Sequence, residues 1–164
     1  MSVTSNDSFF IGVTDQGEIL KSNDGFNWEV KDYNKEYSGY NKSCLFKKVI
    51  AANNRIFIIG RHEDNSPAVL FSSLGNVWTE RSLIYNDDHG MVRFLENEPN
   101  GITYDPVRDQ FILACNKGEI FILPSCTRCN ASAVVSASDL YGINCTGNLL
   151  IVVGRDFTVN ILNL

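Results

Sequence analysis

Ser22-Asn23-Asp24-Gly25-Phe26-Asn27-Trp28 returns in altered form as Ser72-Ser73-Leu74-Gly75-Asn76-Val77-Trp78. Ser, Gly and Trp keep their relative places at an offset of 50 residues, from 22 to 72. A repeat at this spacing marks an array of similar β units, and propeller blades fit it best. It bears on architecture and carries no chemistry of its own.

The strand pattern extends the repeat in both directions. Residues 17–22 align with 67–72 and again with 118–123, and 157–162 form a last copy. Ahead of these stand four apolar runs, at 9–13, 55–60, 110–115 and 149–154. Runs of that length without alternation predict strands buried on both faces, as inner strands between neighbouring blades are. Each run ends in a small residue, which predicts the close approach of another sheet. Three runs are preceded by a further strand and a polar turn: 49–52 before Asn53-Asn54, 102–104 before Asp105-Pro106, and 143–145 before Thr146-Gly147-Asn148. Those are hairpin signals. Outer strands follow at 28–30, 78–81 and 133–135. The expected fold is all-β, one propeller-like domain over 1–164 with blade units near 9–32, 45–84, 101–136 and 141–164. Units two and three read as complete; unit one lacks its first strand and unit four its last.

Composition narrows the function classes. A chain of 164 residues with 44% hydrophobic residues suits one globular domain with a sizeable core. The net charge of −5 disfavours nucleic acid, because phosphate contacts need clustered Lys and Arg, and Lys47-Lys48 is an isolated pair. Residues 1–8 are polar, unlike a signal peptide, and no apolar run approaches the roughly 20 residues of a membrane helix. The cysteines number five: Cys44, Cys115, Cys126, Cys129 and Cys145. An odd count without a leader points to free thiols and a cytoplasmic location, with a virion or exported site left open.

Ser22-x-Asp24-Gly25-x-x-Trp28, set in a hairpin after an apolar strand, resembles the Asp-box of the bacterial neuraminidase repeat. Such repeats occur in sialidase-like propellers, sortilin-type receptors and photosystem assembly factors. The second copy, with Ser72, Gly75 and Trp78, has Leu74 in place of the acid. The third, near Ser125, has Cys126 and Cys129 where Gly and Trp belong. The resemblance implies structural roles: a carboxylate closing a tight turn on backbone N–H groups, a glycine at positive φ, and a tryptophan buried between blades. It implies no catalytic residue. A sialidase-like site needs three arginines, a Tyr–Glu pair and an Asp acid, and none of the seven arginines sits in a recognisable motif.

Other candidates are weaker. Cys126-Thr127-Arg128-Cys129 has CxxC spacing, but no second ligand pair completes a zinc site, so neither metal nor cofactor is expected. His62 and His89 stand beside carboxylates in what read as exposed loops. The most binding-like stretch runs from Tyr33 through Tyr37 to Tyr40; with Tyr85, it offers aromatic surfaces to a glycan or a peptide. The expected function is therefore a non-catalytic module that binds a glycan or protein through propeller-face loops. The alternative is a partial sialidase-like glycosidase active only as an oligomer. Since propellers avoid open edges, a homodimer completing a larger ring is the expected partner arrangement. A self-closed four-bladed ring and a fragment of a larger protein are the other two.

Overall fold

The computed structural model describes residues 1–36, 43–86, 89–124 and 131–164. The chain divides into two compact units, Met1–Glu80 and Arg81–Leu164. Every described sheet is an antiparallel meander in which strands neighbour one another in chain order.

The first unit holds two four-stranded sheets. The first contains β1 (Ser2–Ser5), β2 (Phe10–Val13), β3 (Glu18–Ser22) and β4 (Glu29–Asp32), followed by the short helix α1 (Tyr33–Glu36). The second contains β5 (Cys44–Ala52), β6 (Arg55–His62), β7 (Pro67–Ser72) and β8 (Thr79–Glu80). In the second unit a two-stranded sheet, β9 (Ile84–Asn86) and β10 (Val92–Phe94), comes first. A four-stranded sheet of β11 (Pro99–Asp105), β12 (Gln110–Cys115), β13 (Glu119–Leu123) and β14 (Ala131–Val134) follows. The last sheet has three strands, β15 (Leu140–Thr146), β16 (Leu149–Gly154) and β17 (Val159–Asn163). No described helix is long and apolar enough to cross a membrane.

The first sheet corrects the reading of unit one as lacking a strand. Residues Ser2–Ser5 pair with β2 in the register Ser2↔Val13 to Ser5↔Phe10, so this blade is complete. The segment reads as polar because its work is done by hydroxyls. Ser2 Oγ accepts the Val49 N–H at 3.3 Å and Thr4 Oγ1 the Ala51 N–H at 3.2 Å, tying β1 to the neighbouring blade. A strand stabilised this way needs no apolar run, and hydropathy cannot reveal it.

Strand alternation gives each sheet two faces, and the repeat assigns them. The face a blade turns towards the next blade in the chain is its leading face; the opposite one is its trailing face. In the first unit Ile11, Val13 and Ile19 of the first leading face pack on Ile56, Ile58, Leu70 and Trp78 of the second trailing face. In the second unit Ile112, Ala114 and Ile120 pack in the same way on Leu140, Leu150 and Val152. Phe57, Ile59 and Val69 in the first unit, and Phe111, Leu113 and Phe121 in the second, are also buried. These strands carry apolar residues at successive positions because both of their faces are covered.

A bulge recurs in the first strand of three blades, between Phe46 and Lys48, Pro99 and Gly101, and Leu140 and Gly142. It explains two of the small residues that end the apolar runs. A Cβ on Gly60 would lie 2.1 Å from the Leu45 carbonyl oxygen, and one on Gly154 2.3 Å from that of Asp139. The crowding atoms belong to the adjacent strand or its entry, not to another sheet as the sequence pattern suggested. A bulge turns a carbonyl across the ladder, and only a missing side chain makes room for it.

Candidate functional site

The Ser22–Trp28 turn closes the β3–β4 hairpin through its own side chains. Ser22 Oγ accepts the Gly25 N–H at 2.9 Å, and Asp24 Oδ1 accepts those of Phe26 and Asn27, each at 2.8 Å. The Asn27 amide donates to Asp24 Oδ2 at 2.7 Å. The Asn27 backbone N–H, its amide and the Phe26 N–H hold the Asp24 carboxyl well below the ordinary carboxylate range. Gly25 takes φ +78°, where a Cβ is disfavoured. The second copy keeps only the serine part: Ser72 Oγ accepts the Gly75 N–H at 2.8 Å, and Gly75 sits at φ +70°. The carboxylate is thus dispensable once the serine holds the turn.

The two tryptophans differ in a way the repeat does not foretell. Trp78 is 4% exposed, within the core that includes Phe9 and Ile11. Trp28 is 38% exposed, a correction to its expected burial between blades. Its indole N–H donates to the Gly25 carbonyl at 3.1 Å, and its ring lies 6.4 Å from that of Phe10 at a tilt of 54°. Trp28 belongs to the trailing face of the first blade, with Val3, Phe10, Leu20 and Val30. In the second blade the equivalent residues Ile56, Leu70 and Trp78 are covered; here Val3, Phe10, Trp28 and Val30 are exposed. An open groove of about 450 Å³ adjoins it, lined by Lys21, Asn23, Asn27, Trp28, Glu29 and Asn76. Lys21 is held there by the Leu74 carbonyl at 3.0 Å and Asn76 Oδ1 at 2.6 Å, its ammonium 4.3 Å from the Phe9 ring centroid.

A second exposed face went unnoticed in the sequence. On the last sheet Leu150, Val152 and Leu162 turn towards the preceding blade. The alternate residues Leu149, Ile151, Val153, Val159 and Ile161 form the leading face, with Val159 62% and Ile161 65% exposed. Asn144 and Thr146 complete it, and none of these residues is charged. The run at 149–154 is apolar at successive positions, so the sequence pattern predicts cover on both faces where the structure leaves one open.

Of the four candidate tyrosines, Tyr33 and Tyr85 lie among the described residues. Tyr33 is buried, its ring edge-on to Phe46 at 5.7 Å, so it serves the core and offers no stacking face. Tyr85 lies in β9 with its ring 5.2 Å from Phe121. Tyr37 and Tyr40 fall outside the described residues, as do Cys126 and Cys129.

Comparison with known proteins bears on the fold. No family model matches the chain, and no curated protein matches it in sequence. Among solved structures, the computationally designed Ika4 protein superposes with a TM-score of 0.64 at 10% identity, over 99% of this chain and 89% of its own. The β-propeller domain of Cps50 (Swd1) from Myceliophteria thermophila gives 0.67 at 10% identity, over 99% of this chain and 51% of that one. A GH43 endo-arabinanase from Bacillus licheniformis gives 0.52 at 14%, over 98% and 68%. The chain is a β-propeller-like array of blades. It spans about half the length of the Cps50 propeller domain.

One constellation within this fold has the outline of a nucleophile site. Cys44 Sγ lies 3.4 Å from His62 Nδ1, and His62 Nε2 2.6 Å from Glu80 Oε1. His62, expected in an exposed loop, is buried at the end of β6. Burial, with the nearby Glu80 charge, pushes the Cys44 thiol up to about 12. A nucleophilic cysteine needs the opposite shift and an open approach; Cys44 is 1% exposed. The trio acts as a buried clasp joining β5, β6 and β8.

Proposed function

We propose that the chain is a non-catalytic interaction module of the Asp-box propeller type, whose recognition surface is the uncovered face of its first blade and whose ligand is a protein. The exposure of Trp28, at a position whose repeat partner Trp78 is buried, carries this reading. A half-exposed tryptophan fixed by its own N–H bond and flanked by Phe10 and Val30 is a ready anchor: large, apolar and already ordered. The face is apolar across Val3, Phe10, Trp28 and Val30, while the charged Lys21 and Glu29 stand on the opposite side of the sheet, which leaves the charge-depleted centre that interfaces have. Exposed patches of this kind mark partner surfaces more often than solvent faces.

A glycan is the second reading, favoured by the amides of Asn23, Asn27 and Asn76 in the groove beside the indole. Amides bond paired hydroxyls while an aromatic ring covers a sugar's apolar face. A photo-cross-linking amino acid at position 28, irradiated in extract of the source cells, separates the two. The expected result is a heavier protein band, several times stronger than with the same label at the more exposed Val107. No band, or equal bands at both positions, would contradict the protein reading.

A further inference from the structure

Building on that reading, we infer that the partner is a second copy of this chain, and that the leading face of its last blade covers Trp28. The repeat supplies the argument. Within each unit the leading face of one blade is buried on the trailing face of the next, and the same contact occurs twice: Ile11, Val13 and Ile19 on the second blade, Ile112, Ala114 and Ile120 on the fourth. Blades of this chain are therefore built to be covered on both sides. Among the described residues, two blade faces keep several large apolar side chains exposed: the trailing face of the first blade and the leading face of the last. These two are of opposite kind, and so complementary in the sense that the internal contacts define.

Their composition agrees. The last leading face presents Leu149, Ile151, Val153, Val159 and Ile161 with no charge among them. The first trailing face presents Val3, Phe10, Leu20, Trp28 and Val30. A solvent-facing sheet alternates polar residues outward, whereas an interface core is depleted of charge. With two copies each first face meets the partner's last face and each last face the partner's first, the reciprocal pairing of a two-fold dimer. A face three strands wide and five residues long spans roughly 14 Å by 17 Å. Two such contacts per copy give roughly 480 Å² before side-chain relief is counted, about three-fifths of the roughly 800 Å² per partner of a standard interface. Two copies also match the length of the Cps50 propeller domain, of which one copy spans 51%.

Light scattering on a sizing column tests this with three proteins. The wild type is expected at twice 18.3 kDa. Val30→Glu on the first face and Ile161→Arg on the last change exposed residues, so each folds, and each is expected at half the wild-type mass. Mixing the two variants is expected to restore the larger mass as a one-to-one pair. One contact is then wild type on both sides, and the other sets the introduced arginine and glutamate together. A monomeric wild type across a dilution series would overturn the inference, as would a dimer that survives both substitutions. A heavier band from position 28 containing a different protein would sink the second copy while sustaining the interaction module. A monomer without any such band would end both.

Discussion

Asp105→Ala is expected to lower the unfolding free energy by about 3 kcal/mol, read from the urea midpoint at neutral pH. Asp105 is completely buried at the β11–β12 turn. Its Oδ1 accepts the Val107 N–H at 2.9 Å and the Arg108 N–H at 3.3 Å; Oδ2 accepts from the Arg108 guanidinium at 3.0 Å and the Gln110 amide at 3.2 Å. Arg108 then reaches the last blade, donating to Asn148 Oδ1 at 3.1 Å and the Leu164 carbonyl at 2.7 Å. Removing the carboxylate unties the turn and frees the cation that joins two blades. Burial pushes this carboxyl up, but the Arg108 side chain and the two backbone N–H groups outweigh it and hold it below its ordinary value of 3.8. A group depressed on folding contributes stability above its unfolded pKa and loses it as the pH falls. The gap between wild type and variant should therefore be full above about pH 4 and close progressively below it. A gap that persists unchanged in acid would mean that the charge is not what the turn uses.

Gly60→Ala is the second large effect, expected at about 3 kcal/mol. The added carbon would meet the Leu45 carbonyl oxygen at 2.1 Å and the Phe46 Cα at 2.9 Å, both backbone atoms of the bulged strand β5. Neither can move without pulling at the ladder. Gly12→Ala is the control, because its new Cβ would find its nearest neighbours at 3.7 Å, ordinary contact. Equal stability of the two variants in chemical denaturation would show that the bulge is not rigid. A large loss at Gly60 alone would place the constraint where the geometry puts it.

These positions show how far the sequence could be read. The repeat of Ser22, Gly25 and Trp28 at 72, 75 and 78 led to blades because a turn closed by its own side chains needs the same residues wherever it recurs. The apolar runs led to the inner strands because burial on both faces leaves no alternation. Ser2–Ser5 is not legible as a strand, since hydroxyl bonds across blades carry no hydropathy signal. Gly60 is legible as a small residue, but the atom that crowds it is not, because sequence shows size and not neighbours. His62 read as a loop residue from its acidic neighbours Glu63 and Asp64, while its own partners, Cys44 and Glu80, lie 18 residues away on either side. The exposure of Trp28 was beyond reach for a deeper reason: equivalent residues in a repeat differ in burial when their neighbours differ, and repeats encode only themselves.

Acrylamide quenching of tryptophan fluorescence tests the central claim most directly, since the chain has two tryptophans and the account assigns them different fates. In concentrated wild-type protein both indoles should be shielded, Trp78 by its own core and Trp28 by the covering blade. In Val30→Glu one of the two should become freely quenchable while the other stays protected. If one indole is equally open to quencher in the concentrated wild type, the first blade has no cover and Trp28 does not lie in an interface.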